Sequence, residues 1–489
     1  MLAIELINLV KNVTRQKCER QDIELKRAHD GTPERLYDTL SAFSNQTGGG
    51  IILFGIDEKT DYEIVGVYDA QDLQVQVTNQ ALQMQPVVRP VFTVAEIEGK
   101  IVVSAEISEC DIFEKPCFYK GSGRLRGAYI RVGEADMPMT EYEVYSYEAF
   151  KRKIQDELRP VLRASTDSLD PDALAEYFLK LKKAKPNLAK QPNEKILKLQ
   201  GITEQGIPTV AGIMMLGEYP QAFFPQLSVT AMVVDGTKFG GLGVNGERFI
   251  DNQRIEGTLT QILEDTLAFI RRNIRNATIV DDEGKRADRT EYPMKAVREI
   301  VLNALIHRDY SIHTDNSPIR VILYSDRLEV ENPGGLYGRI TLDELGKVAA
   351  DTRNPFIAGG LEVMLGTENR FSGIPTVVDE MERAGLPPAV FESQRGIFRV
   401  TLYNRPSGGK REFAVSEALP DAMQQILFYC ERPRSRTEIA DYIGIDSPYY
   451  VVSKYIRPLL EMGRLKMTLP ETPKSKNQKY YVPSGTGVL

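Results

Sequence analysis

The stretch from Val297 to Tyr310 constrains the fold more than any other part of this chain. Apolar residues at Val297, Ile300, Val301, Ala304 and Leu305 recur at helical spacing and predict a helix with one buried side. Glu299, Asn303 and His307 fall four apart on a neighbouring face, so three polar side chains line up beside the buried stripe. Polar groups at such an edge cost stability unless something satisfies them. A carboxylate and a carboxamide one turn apart suit a nucleotide: Glu299 is placed to orient a water, and Asn303 to put an oxygen on Mg²⁺. The plainer alternative is a helix whose polar residues are capped or solvated.

Glu299-x-x-x-Asn303, followed by Ala304-x-x-His-Arg-Asp-Tyr310, resembles the N-box of the GHKL ATPases. The variant is the one found in bacterial regulators with an N-terminal Schlafen AlbA-like domain. The resemblance implies a GHKL-like (Bergerat-type) α/β sandwich that binds ATP and Mg²⁺, with Glu299 activating water and His307 and Arg308 among the nucleotide contacts. Downstream, Ile319, Val321 and Leu323 alternate along a strand, and Leu328 and Val330 return after a turn. The turn Glu331-Asn-Pro-Gly-Gly335 follows. Its glycines let backbone approach a ligand, and Asn332 offers a hydrogen-bonding edge to adenine. In the wider GHKL family this place carries Asp-x-Gly-x-Gly; Asn-Pro-Gly-Gly is instead typical of the regulator subgroup, which implicates Gly334 and Gly335 as well as Asn332. Thr352-Arg-Asn-Pro355 and Arg370-Phe-Ser-Gly-Ile374 resemble two further subgroup motifs. They imply phosphate contacts from Arg353 or Arg370 and a close backbone approach at Gly373. Taken alone, Asn332 to Gly335 reads as an ordinary Pro-Gly turn.

A chain of 489 residues is too long for one ordinary core, so two to four domains are expected. Hydrophobic content of 42% and charged content of 26% are those of a soluble globular protein. A net charge of −7 excludes nothing, since an acidic chain binds nucleic acid when its basic groups are segregated. No apolar run reaches membrane-spanning length, and Met-Leu-Ala-Ile-Glu-Leu at the start lacks the features of a signal peptide. Four scattered cysteines and three histidines argue against a zinc site and for a reducing cytoplasm.

Residues 1–150 read as a small α+β unit. Thr32 is expected to cap a helix with Pro33 in its first position and Leu36, Leu40 and Phe43 inward. Ile51 to Ile56 reads as a buried strand, with further strands near Ile101 to Ile107 and Ala128 to Val132. The unit resembles the Schlafen AlbA-like (AlbA_2, divergent AAA) domain through Glu19-x4-Glu24-Leu-Lys26, Gly48-Gly-Gly-x-x-Leu-Phe-Gly-Ile-Asp57 and Gly127-Ala-Tyr-Ile-Arg-Val-Gly133. That resemblance implies nucleic-acid binding, with Lys26 and Arg131 as candidate contacts. In Schlafen proteins proper, carboxylates matching Glu19, Glu24 and Asp57 form a metal-dependent RNase site, and such a trio can hold Mg²⁺ or Mn²⁺. The alternative is that Glu24 pairs with Lys26 along a strand and Asp57 ends a strand at a turn.

Residues 151–200 read as a helical connector, with helices over Tyr147 to Leu162 and from Pro171, capped by Asp170. Residues 201–405 form the ATP-binding unit, opening with a buried strand over Thr209 to Pro220, a strand over Leu227 to Val234 and a helix from Thr258 to Arg275. Gly240 to Gly246 is glycine-rich without phosphate-loop spacing and reads as a loop. Residues 406–420 are a linker. Residues 421–489 read as helix, turn, helix and wing, and resemble the winged helix-turn-helix that ends many of these regulators. From Asp421 to Tyr480 ten Lys and Arg face seven Asp and Glu, a local basic excess that suits phosphate. Arg434, Arg436, Lys454, Arg457, Lys474, Lys476 and Lys479 are the candidate contacts.

Together these readings give an α+β multidomain, homo-oligomeric, cytoplasmic regulator in which Mg-ATP controls the arrangement of two nucleic-acid-binding ends, with DNA or RNA as partner and no membrane. The rival is a Schlafen-type metal-dependent nuclease effector, in phage defence, with ATP as trigger. A third reading is an assembly scaffold with degenerate sites.

Overall fold

The computed structural model describes the chain except residues 19, 242–247, 281–285, 349–350, 367–372, 405–422, 424–425, 428, 431, 444–450, 462–463, 469–477 and 483–489. For 276–280, 286–289, 441, 453, 454, 458 and 461 it describes the backbone alone. The protein is α+β and divides into two compact units, Met1–Arg405 and Pro406–Leu489.

In the first unit, strand Ile23–Lys26 lies parallel to Gly50–Phe54, which runs antiparallel to Lys100–Ile107 and through it meets Val91–Ile97. Period-2 alternation splits this sheet into two apolar faces. Ile52, Phe54, Val103 and Ala105 pack under Leu36, Leu40, Phe43 and Leu73, while Leu53, Ala95 and Val102 meet Leu6, Val10 and Val13 of helix Ala3–Gln16. Leu36, Leu40 and Phe43 are fully buried as expected, but the helix begins at Tyr37. Thr32 is therefore no cap; its hydroxyl lies 2.9 Å from that of Tyr68.

The helix expected over Tyr147 to Leu162 is instead Glu141–Arg152. A capping box sets its start: Glu143 N–H donates to Thr140 Oγ1 at 3.2 Å, and Thr140 N–H to Glu143 Oε2 at 2.7 Å. It ends at Lys153 with φ +53°, and the chain turns through Asp156–Leu158 before Pro160. Helix Pro171–Ala184 is capped by Asp170 as read from sequence.

A six-stranded sheet follows, ordered Asp251–Ile255, Val229–Val233, Ile319–Leu323, Arg327–Pro333, Ile397–Tyr403 and Val390–Gln394. All pairings are antiparallel except Val229–Val233 with Ile319–Leu323. Val229, Ala231, Val321, Leu323, Leu328, Val330, Val400 and Leu402 share one core with helices Leu259–Asn273, Met294–His307, Pro355–Leu365 and Gly373–Arg383. Sheet and helices thus form two layers. The buried strand expected over Thr209 to Pro220 is a helix, Val210–Leu216, with Gly212 N–H donating to Thr209 Oγ1 at 3.0 Å. Every residue of that helix is buried, so the run lacks the polar side that separates a helical period from a strand's. Most of Gly240 to Gly246 lies outside the described residues.

The second unit has strands Arg434–Ser435, Lys466–Met467 and Lys479–Tyr481 in one sheet, the last in the centre, with helix Arg436–Tyr442 and a helical stretch through Val452–Ile456 and Arg457–Glu461. Its core joins Ile426, Leu427, Ile439, Val451, Ile456, Leu459 and Tyr480.

Candidate nucleotide site

Helix Met294–His307 buries Val297, Ile300, Val301, Ala304 and Leu305, the stripe read from the sequence. Its last carbonyls find partners beyond the helix. The Tyr310 hydroxyl donates to Leu305 O at 2.8 Å, and Asn354 Nδ2 donates to Ile306 O at 2.8 Å and to Arg308 O at 2.6 Å. His-Arg-Asp-Tyr and Arg-Asn-Pro therefore meet at the end of this helix, although the motifs lie more than forty residues apart in the sequence.

Strand Arg327–Pro333 delivers the Asn332–Gly335 turn beside the same helix end. Asp309 N–H donates to Pro333 O at 2.9 Å, and Gly334 N–H to Gly396 O at 2.7 Å. Gly334 has φ +114°, and a Cβ there would lie 3.0 Å from Arg353 Nη1 and 3.0 Å from the Asp309 Cβ. Only glycine meets both the conformation and the space. Arg353 also donates to Gly335 O at 3.1 Å.

Between the helix and the turn lies a cavity of about 420 Å³, a size usual for small-molecule sites. Asn303, His307, Asn332, Gly334, Gly335 and Gly373 border it, with Ile300, Val330 and Val400 among its apolar walls. Asn332 is 4% exposed, and its Oδ1 has no hydrogen-bond partner among the described residues. A buried carbonyl acceptor left unpaired is costly unless a donor arrives. Glu299 does not border the cavity. It is half-buried and lies against Gly373, where a Cβ would come within 2.8 Å of both Glu299 Oε1 and Asn303 Nδ2. Helix Gly373–Arg383 can begin on the Glu299–Asn303 pair because its first residue carries no side chain. Burial pushes the Glu299 carboxyl above its usual range, against the nearby charges of Arg298 and Lys295. His307 is exposed and opens onto the cavity, with protein close around its ring. That crowding, with the Arg353 charge, pulls its pKa down to about 4 and keeps it neutral near pH 7.

Two expected phosphate or nucleotide contacts turn away. Arg308 is 2% exposed, donates to Thr314 O at 2.8 Å and faces the Tyr310 ring at 5.7 Å, so it packs behind the site. Arg353 forms a buried ion pair with Asp309 and braces the turn from below. A sequence motif fixes the neighbourhood of a long side chain but not its direction. Arg370 lies outside the described residues. Sequence reasoning also missed Leu336, Tyr337, Ile340, Leu345 and Val348, which wall the cavity after the turn without any periodic or polar signal. Asn354 sits inside the quoted Arg-Asn-Pro motif and was recoverable from it.

Two of the three carboxylates expected to hold a metal, Glu24 and Asp57, are ion-paired. Glu24 is ion-paired to Lys26 through Oε1 and to Arg131 through Oε2, the latter at 2.7 Å. Asp57 pairs with Arg27 at 3.4 Å and accepts Lys59 N–H at 3.0 Å. Glu19 lies outside the described residues, and among the described ones no group of His, Cys, Asp and Glu is arranged to hold a metal ion. Arg131 corrects a second expectation. It is 4% exposed, held by Glu24 and Asp136 and set over the Phe43 ring at 5.3 Å, so it braces the fold instead of meeting phosphate. Lys26 is half-buried against Glu24.

In the second unit Arg436, Arg457 and Lys479 are exposed. Arg434 is half-buried over Tyr429, with Glu438 3.8 Å away. The Lys454 side chain, Lys474 and Lys476 lie outside the described residues. No described helix is long and apolar enough to cross a membrane.

Three stretches of the chain match known protein families. Residues 19–140 match the family described as "Schlafen, AlbA_2". Residues 316–402 match "Putative ATP-dependent DNA helicase recG C-terminal", and residues 421–482 match "Filamentation induced by cAMP protein Fic-like, C-terminal domain". Among solved structures, the DIP2311 protein from Corynebacterium diphtheriae is similar over 98% of this chain and 97% of that one, at 20% identity and a TM-score of 0.40. The N-terminal domain of a RecG-related protein from Nitrosomonas europaea is similar over 27% of this chain and 90% of that one, at 29% identity and a TM-score of 0.23. No curated protein matches the chain.

Proposed function

We propose that this chain, which carries a Schlafen AlbA_2 domain and a RecG-type ATPase-like domain, binds ATP in the cavity between Asn303 and Asn332 and acts as a nucleic-acid-binding regulator. The observation that carries the reading is Asn332, which borders the cavity and whose buried carbonyl oxygen has no hydrogen-bond partner among the described residues. An adenine amino group is a donor of the right kind for it. The apolar walls around Ile300, Val330 and Val400 suit the faces of a base. Asn303 borders the same space and would offer an amide oxygen to Mg²⁺, which neutralises phosphate charge when bound. Glu299, one turn earlier, is the candidate base for a water if the nucleotide is hydrolysed.

In this reading the second unit is a winged helix, and Arg436, Arg457 and Lys479 are its exposed cations for a phosphate backbone. Its three-stranded sheet beside two helical segments supports that assignment. The nuclease alternative needs Glu24 free to hold a metal, and its pairing with Lys26 and Arg131 weighs against it. Calorimetric titration of the full chain with Mg-ATP tests the proposal: binding that Asn332→Ala weakens supports it, and absence of binding by the wild type removes it.

A further inference from the structure

The back of the Asn332–Gly335 turn is reached by a residue from just beyond the AlbA_2 segment. Helix Glu141–Arg152 begins one residue after residues 19–140, the part of the chain that matches that family. Its Tyr142 hydroxyl donates to Asp309 Oδ2 at 2.8 Å and accepts from Arg353 Nη1 at 3.4 Å. The phenol is thus the third member of the buried pair that holds the turn from below. The Tyr142 ring also lies so close to Gly396 that a Cβ there would fall 2.4 Å from Cε1. Gly396 O is the acceptor for Gly334 N–H. Asp309 and Arg353, which hold Pro333 O and Gly335 O, and Gly396, which holds Gly334 N–H, therefore all lie against one tyrosine.

The far end of the same helix makes a second contact. Phe150 packs edge-on against Tyr337, with ring centroids 5.4 Å apart and planes at 87°. Tyr337 borders the cavity and lies under the Arg353 guanidinium at 4.9 Å. Tyr145, between them, packs on His313 at 4.5 Å and donates to Asp156 Oδ2 at 2.7 Å. The helix thus touches the residues that hold the turn at its start and a wall residue of the cavity at its end.

We propose that Tyr142 is a positioning residue of the nucleotide cavity, and that helix Glu141–Arg152 links occupancy of that cavity to the AlbA_2 segment preceding it. The inference rests on the cavity being the nucleotide site. A ligand that orders the turn then favours one placement of the helix, and a nucleic acid that favours the same placement tightens nucleotide binding by the same factor. The phenol makes one short hydrogen bond to Asp309 and a longer one from Arg353, the residues that hold the turn, so its loss is felt there before it is felt in the core.

The test uses the full chain as wild type, Tyr142→Phe and Tyr142→Ala. The first readout is hydrogen exchange without nucleotide over residues 332–337. In Tyr142→Phe, exchange there is expected to rise about 2- to 10-fold, the range of one hydrogen bond, while the strands of both sheets exchange as in the wild type. Tyr142→Ala removes the ring from Gly396 as well and should give the larger rise. Unchanged exchange in both variants, or a rise spread evenly over the chain, overturns the positioning role. The second readout is the affinity of a 20-base-pair duplex DNA and of a single-stranded RNA of the same length, each with and without Mg-ATP. The wild type should show an ATP-dependent affinity for one of them that Tyr142→Phe reduces; an ATP effect of equal size in both proteins overturns the link. A wild type that binds no ATP, with exchange at 332–337 still faster in the variants, would sink the nucleotide reading and the link while leaving Tyr142 as a brace of the turn.

Discussion

The Asp309 carboxylate and the Arg353 guanidinium form an ion pair beneath the Asn332–Gly335 turn, with both side chains less than a tenth exposed. The pair closes a circuit: Asp309 N–H holds Pro333 O, Arg353 holds Gly335 O, and Asn354 holds the end of the Met294–His307 helix. Helix and turn are the two sides of the cavity, and this circuit fixes their separation. Arg353 holds Asp309 ionised, its carboxyl below the ordinary range despite burial.

Breaking that pair should be costly. Arg353→Ala leaves a buried carboxylate without its cation and should lower stability by about 3 to 5 kcal/mol in urea unfolding of the first unit's transition. Arg353→Met with Asp309→Asn, which removes both charges, should cost less than the single change. A single variant within about 1 kcal/mol of wild type would show that the pair is dispensable.

Asn332 and Asn303 should separate the two ends of the nucleotide. Asn332→Ala removes the acceptor for the base and should weaken adenosine and Mg-ATP alike, by about 10-fold as for one buried hydrogen bond. Asn303→Ala should weaken Mg-ATP while leaving adenosine unchanged, because adenosine has no phosphate to bring the ion. Equal losses for both ligands in both variants would remove the metal assignment.

Glu299→Ala should bind Mg-ATP as the wild type does and lose turnover. The burial that raises this carboxyl also fixes the direction of pH dependence. Turnover by the wild type should fall on acidification with a midpoint above the ordinary glutamate value of 4.5. Unchanged turnover in Glu299→Ala takes the residue out of that role.

How much of this was legible in the sequence follows from distance along the chain. The helix around Asn303 was readable because its stripe and its polar file share one period. The Asn332 turn was readable because Pro-Gly-Gly punctuates a strand. Tyr142 was not, since its partner Asp309 is 167 positions away and no local pattern reports such a pairing. Glu157 was missed for the same reason: its carboxylate accepts Phe356 N–H at 3.0 Å and Ile357 N–H at 2.8 Å, about two hundred positions on. Arg131 and Arg308 were named as ligand contacts from motif resemblance, and a motif does not report the carboxylates, carbonyls and rings that enclose a side chain.

Glu157 carries a pH signature of its own. It is fully buried, and burial lifts its carboxyl from 4.5 to about 7 although two backbone N–H groups favour the anion. The folded chain therefore holds this proton more tightly than the unfolded one. The stability it contributes is complete below about pH 4.5 and is lost as pH rises toward 7, a change of about 3 kcal/mol at 1.36 per pH unit. Glu157→Gln should flatten that slope in urea unfolding between pH 5 and pH 8. Parallel slopes for the two proteins would mean that the carboxyl is already ionised at pH 5.

The most direct measurement is a crystal structure of the full chain grown with a non-hydrolysable ATP analogue and Mg²⁺. The adenine amino group is expected within hydrogen-bond distance of Asn332 Oδ1, and the ion on Asn303. Nucleotide bound elsewhere, or an Asn332 oxygen still without a donor while the analogue occupies the chain, would contradict that placement.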